Sequence, residues 1–130
     1  MPSSNDATKR AVLDRIAPSV GWRKSGQVSY SSSVGTVHAR FKTAGPFSFN
    51  INPATLRADF ELWICGSERL YYLLPRDTVR LIYDHPGAYI DSRHPDIRVV
   101  RVDPINHRVT FDTGGESLDL RPFFQAQLAH

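Results

Sequence analysis

The stretch that decides the fold is residues 36–63, TVHARFKTAGPFSFNINPATLRADFELW. Side chains of a β-strand alternate between two faces. Val37, Ala39 and Phe41 therefore share one face of a first strand, while Thr36, His38, Arg40 and Lys42 share the other. After a TAGP turn, Phe47, Phe49 and Ile51 alternate with Ser48 and Asn50 until Asn52–Pro53 interrupts the pattern. A short connection leads to Asp59, where Phe60, Leu62 and Ile64 alternate with Asp59, Glu61, Trp63 and Cys65. Placed side by side in one sheet, these strands bring two carboxylates towards a cationic row.

Working outward, residues 1–5 are polar and expected to be frayed or disordered. Ser4, Asn5 or Asp6 can cap a helix running to about Ala17, with Val12, Leu13, Ile16 and Ala17 on one apolar stripe and Pro18 ending it. Gly21 to Gly26 form a loop in which Trp22 lies beside Arg23 and Lys24. Such an indole can stack on a base, although packing against the preceding helix is its commoner role. A β-type run follows at Gln27–Ser33. Beyond the opening stretch, Gly66–Arg69 make a hairpin turn into an apolar strand at Leu70–Leu74, and Pro75 starts a short helix through Ile82.

Residues 83–95, YDHPGAYIDSRHP, form a loop with two His-Pro steps. Arg98–Val102 and Arg108–Asp112 alternate as strands around the turn at 103–106; Gly114–Gly115 turns again, and Leu118–Leu120 return as a short strand. The end, RPFFQAQLAH, supplies one or two helical turns that lay Phe123, Phe124 and Leu128 on the core. The expectation is an α+β single domain with a mixed, mostly antiparallel sheet, an N-terminal helix and a short helix after the central hairpin. Residues 6–82 form its core, and 83–130 a loop plus a C-terminal β-hairpin extension.

A chain of 130 residues fits one domain. With 41% hydrophobic and 22% charged residues it reads as an ordinary soluble protein, and no run is long enough to cross a bilayer. The first ten residues lack the apolar segment of a secretory signal, and the single cysteine, Cys65, makes neither an internal disulfide nor a zinc cluster. Both point to a cytoplasmic protein. The net charge of +3 is unevenly spread, since residues 15–58 contain no carboxylate but carry Arg15, Arg23, Lys24, Arg40, Lys42 and Arg57. Arginine outnumbers lysine thirteen to three, which suits bidentate phosphate or base-edge contacts. Pairing of these cations with the acids of the later half is the competing explanation.

The succession of helix, strand, a strand ending in FKTA, the strand FSFNI, then ADFELWI and YYLLP before a short helix resembles small PD-(D/E)xK, restriction-endonuclease-like nucleases over residues 6–82. The resemblance implies a central mixed sheet flanked by helices and Mg²⁺-dependent cleavage of DNA. Such enzymes hold the metal with an acid on one strand and another two residues before the lysine of the next. Here that second position is Arg40, and the upstream strand VSYSSSV offers hydroxyls in place of the first acid.

Two outcomes fit. In one, the fold is retained without metal-dependent cleavage, and His38, Arg40 and Lys42 contact the phosphates of a nucleic acid, expected to be DNA, with Arg23, Lys24 and Arg57 as outer contacts and no cofactor. In the other, the carboxylates have migrated, so that Lys42, Asp59 and Glu61 form a catalytic Mg²⁺ site with Asp14 as a remote third acid. Cross-strand ion pairing is the simpler use of Asp59 and Glu61. His38 can also serve as a base for RNA cleavage with Lys42 and Tyr30, without a metal. His85 and His94 bracket Asp84, Asp91 and Asp96 in the 83–95 loop, but in no recognised zinc spacing. A third class of function is protein binding: Trp63, Tyr71 and Tyr72 could present a row of rings to a partner or to a second copy in a homodimer.

Overall fold

The structure is a computed structural model that describes residues 4–51, 57–84, 89–90, 97–110 and 118–128. Among these the chain forms one small α+β unit with two helices and two five-stranded sheets. Helix α1 spans Ser4–Ile16, and strands β1 (Arg23–Lys24), β2 (Ser29–Ser32), β3 (Gly35–Lys42), β5 (Phe60–Cys65) and β6 (Tyr71–Pro75) make the first sheet in the order β1-β2-β3-β5-β6. The second sheet takes β4 (Phe47–Ile51), β8 (Arg98–Asp103), β9 (Arg108–Thr110) and β10 (Leu118–Asp119) in the order β10-β9-β8-β4, with β7 (Tyr89–Ile90) also pairing β8. Helix α2, Arg76–Tyr83, follows β6 directly.

Two sheets replace the single one expected, because FSFNI leaves the first sheet and pairs with β8. The cause lies in β5 and β6, which bury both their faces. Leu62, Ile64, Tyr71 and Leu73 pack on one side with Val12, Leu13 and Ile16 of α1 and with Ala17 just after it, all four of which are fully buried. Burying an aliphatic side chain of this size contributes roughly 1.5–3 kcal/mol, so the helix stripe is a main source of stability. Trp63, Cys65, Tyr72 and Leu74 on the opposite side need a second cover. Phe49, Val100, Val102 and Val109 of the second sheet supply it together with Val79 and Ile82 of α2, and the Phe49 and Trp63 rings stack with centroids 5.5 Å apart. Trp63, Tyr71 and Tyr72 are thus core residues, at most 3% exposed, and form no outward ring row for a partner.

With β4 in the other sheet, β3 and β5 become direct neighbours in parallel. Val37 is level with Phe60 and Lys42 with Cys65, whereas the β5–β6 hairpin is antiparallel. Asp59 joins the starts of β3 and β5: its N–H donates to the Thr36 carbonyl, and its Oδ2 accepts the Thr36 N–H at 3.0 Å. Gly35, at φ +131°, makes room for that carboxylate, since a Cβ there would lie 2.8 Å from Oδ2.

Helix α1 is tied to β1 and β2 by polar contacts as well as its stripe. The Trp22 indole N–H donates to the Leu13 carbonyl at 3.0 Å, so this ring takes the packing role. Asp6 lies in the first turn of the helix, where it accepts the Tyr30 hydroxyl at 2.5 Å and pairs with Arg10 and Lys24. The C-terminal segment makes a single 3₁₀ turn at Arg121–Phe123 and then extends. Its later donors go to other elements, Gln125 N–H to the Tyr71 carbonyl and Leu128 N–H to the Ile16 carbonyl, which precludes a second helical turn. Among the described residues no helix is long and apolar enough to cross a membrane. The His85 and His94 cluster considered above lies outside the described residues, apart from Asp84.

The tyrosine hydrogen bond, aided by Arg10 and Lys24, holds the Asp6 carboxyl below its ordinary value of 3.8. A depressed folded-state pKa gives stability that is present above the unfolded value and lost as pH falls through the folded one. Urea denaturation of Tyr30→Phe at pH 7 should show a loss of about 2 kcal/mol, as for a hydrogen bond to a charged group. The gap from the parent protein should shrink below pH 3.8, where Asp6 protonates. Gly35→Ala should cost roughly 1–3 kcal/mol in the same assay, because its Cβ meets Asp59 and its φ is unfavourable for alanine.

Candidate functional site

Cross-strand partners share a face of a sheet, and the registers of the first sheet arrange its second face in rows. One row runs Ser29, His38, Glu61, Leu74, and the next runs Arg40, Trp63, Tyr72. A third begins with Arg23, Ser31 and Thr36. The first two rows change from polar on β2–β3 to apolar on β5–β6, apart from Glu61, while the third meets Asp59 ahead of β5. The second sheet and α2 cover only the apolar part, and the polar part stays open.

Glu61 stands at that boundary with 0% exposure. Its Oε1 accepts the Arg40 Nε–H at 2.7 Å, and its Oε2 lies 3.1 Å from His38 Nδ1. The second contact is close but poorly directed, so neither Oε2 nor Nδ1 has a hydrogen-bond partner although both are buried. A carboxylate removed from water is tolerated only with such compensation. Arg40 commits one of its five donors to Glu61 and keeps its terminal nitrogens. His38 itself is only 8% exposed, and it lines the larger of the clefts that open here.

Two adjoining clefts open over this polar area and share Val28 and Arg40. The larger, about 790 Å³, is lined by Ser25, Gln27, Ser29, Thr36, His38 and Arg57. The smaller, about 250 Å³, lies where β3 continues beyond β2, and Lys9, Phe41, Lys42, Ser48 and Asn50 line it. No lining residue of either cleft is acidic. Burial pushes the Lys9 ammonium below its ordinary value, repulsion by Lys24 and Arg40 acts in the same direction, and Asp6 opposes it. The side chain therefore sits in a net positive field.

The structure brings His38, Arg40 and Arg57 to the larger cleft, and Lys42 with Arg40 to the smaller. Arg23 lies on the same sheet face as Ser31, at the edge. Lys24 is on the opposite face, level with Tyr30, and pairs with Asp6 at 3.7 Å. Tyr30 is fully buried on that side as well, so it does not join His38. Lys42, Asp59 and Glu61 are not brought together. The parallel register sets Lys42 beside Cys65, about 13 Å along the strand from the His38–Glu61 row and about 20 Å from the Thr36 end where Asp59 sits.

These donors do not fit Mg²⁺. Asp59 is occupied by a backbone N–H, and Glu61 is occupied by a guanidinium that repels a cation. Among the described residues no three His, Cys, Asp or Glu side chains group as metal ligands. Burial pushes the Cys65 thiol up to about 12, which leaves it a buried apolar group without nucleophilic character at neutral pH.

Two sets of cleft residues lie outside the expectation from sequence. Lys9 was legible in principle, because it precedes Val12, Leu13 and Ile16 at helical spacing and so shares their face. The hydroxyls of Ser25, Ser29 and Thr36 carry no such signal, since serine on a strand reads as simple surface polarity. Compared with family models, curated proteins and solved structures, the chain matches none.

Glu61→Ala should destabilise the fold by about 3–5 kcal/mol, as when one member of a buried ion pair is removed. Arg40→Met combined with Glu61→Leu should recover most of that loss in chemical denaturation. An unrecovered double variant would show that the pair contributes more than mutual neutralisation.

Proposed function

We propose that this protein binds nucleic acid through the two adjoining clefts, with a strand running across Arg40. The supporting observation is their lining: Lys9, Arg40, Lys42, Arg57 and His38 in continuous surface without a carboxylate. Phosphate supplies the negative charge that such a lining lacks. Arg40 is already balanced by Glu61, so Lys9, Lys42 and Arg57 provide most of the net attraction, with Arg23 at the rim. The hydroxyls of Ser25, Ser29 and Thr36 and the amide of Asn50 add neutral hydrogen-bonding groups for sugar or base edges.

The smaller cleft has room for one base, and Phe41 is among the residues that line it. That favours a single strand, whose bases are free to turn into the protein and stack. The PD-(D/E)xK likeness belongs to this proposal too. Helix α1, strands β3, β5 and β6 and helix α2 keep the succession on which it rests, while β4 departs from it by joining the second sheet. Metal-dependent cleavage is disfavoured by the donor geometry.

Fluorescence anisotropy with a labelled 12-nucleotide single strand should show binding whose log K falls with log salt at a slope of about −2 to −3, for three to four neutralised phosphates. Lys9→Ala and Arg57→Ala should each make the slope shallower by about 0.7. No binding at low salt would refute the proposal.

A further inference from the structure

His38 has features that binding alone does not require. It sits between Ser29 and Glu61 in one cross-strand row, with Nδ1 buried 3.1 Å from the Glu61 carboxylate, and it is one of the residues that line the 790 Å³ cleft. Arg40 alone can neutralise Glu61, through its 2.7 Å contact. An imidazole in this position has a buried carboxylate against one nitrogen, at a distance that a small turn of the ring converts into a hydrogen bond, while the residue borders the cleft. A carboxylate on Nδ1 favours the tautomer with its proton there and the lone pair on Nε2.

We propose that His38 is the proton acceptor in a metal-independent RNA-cleaving site, with Glu61 as its positioning residue. This rests on the nucleic-acid-binding function above and adds the substrate class. Among the described residues no group of His, Cys, Asp and Glu could hold a metal ion. RNA brings its own nucleophile, the 2′-hydroxyl. His38 Nε2 takes the proton from that hydroxyl, the 2′-oxygen forms a bond to the adjacent phosphorus, and the bond from phosphorus to the 5′-oxygen breaks. The 5′-oxygen takes a proton from water in the open cleft, and the imidazolium returns its own to solvent. The products are a 2′,3′-cyclic phosphate and a 5′-hydroxyl, with no other reactant consumed. Arg40 and Arg57, on the same cleft, offset the charge that grows on the phosphoryl oxygens.

The groups facing His38 are Glu61 from β5, Arg40 from its own strand, the Ser29 hydroxyl from β2 and Arg57 from the segment before β5.

The test incubates the full chain with single-stranded RNA, the same sequence as DNA, and its 2′-O-methyl RNA analogue, in EDTA. Binding of the analogue is measured separately by anisotropy. The expected result is 2′,3′-cyclic phosphate ends from RNA alone and a loss of about 100-fold or more in His38→Asn, read at saturating RNA so that a change in binding is separated from the chemical step. Glu61→Gln, if folded by circular dichroism, should lower kcat by more than it changes KM, a split that a purely structural role would not produce. Intact RNA together with a bound analogue would overturn the proposal and leave the binding function standing. No binding of any strand would overturn both. Equal cleavage of DNA, inhibition by EDTA, or undiminished cleavage by His38→Asn would also overturn it.

Discussion

The structure depends on one buried carboxylate. Glu61 lies in the middle of a sheet, without exposure, on the line where the second sheet stops covering the first. Its two compensating groups come from the neighbouring strand, Arg40 and His38, two residues apart and therefore on one face. A slip of one residue between β3 and β5 would turn both towards α1 and leave the carboxylate unpaired, so charge pairing and strand register specify each other. That register in turn fixes where the polar half of the face ends, and hence where β4 and its sheet can dock.

Much of this was legible from local periodicity. The α1 stripe, the hairpin of β5 and β6, and the short helix after Pro75 each rest on a pattern that a single element carries by itself. Sheet membership is different: Phe47, Phe49 and Ile51 alternate equally well in either sheet, and no local feature says which. The relevant signal lay elsewhere, in the apolar residues on both faces of 60–65 and 71–74, which require two covering layers. The parallel pairing of β3 with β5 was equally hidden, because it follows from the departure of the strand between them. For the site this had opposite effects. The alternation of His38, Arg40 and Lys42 correctly gave one face, while their distances from Asp59 and Glu61 depended on a register that alternation does not encode.

The clefts owe their character to incomplete coverage. The same sheet face that forms half the core under Trp63, Tyr72 and Leu74 continues without a break into open polar surface over Ser29, Thr36 and His38. The rigid part thereby supports the exposed part, and the side chains at the boundary are held by core packing on one side. Electrostatically the clefts are moderate. Lys9, Lys42 and Arg57 attract phosphate over a screening length of about 8 Å at physiological salt, so the arrangement suits a contacted strand more than long-range capture.

The extended segment after the 3₁₀ turn joins distant parts of the chain. Gln125 bonds to the Tyr71 carbonyl and, through its side chain, to that of Arg69; Gln127 reaches the Arg15 carbonyl; and Leu128 completes the cluster beneath α1. The first helix is thus secured by residues more than one hundred positions later. During synthesis α1 must wait for residues 125–128 to leave the ribosome before its core closes, so the final fold forms after translation of that segment. Until then the stripe of Val12, Leu13 and Ile16 is incompletely covered, and this is the interval in which the nascent chain has most apolar surface to shield.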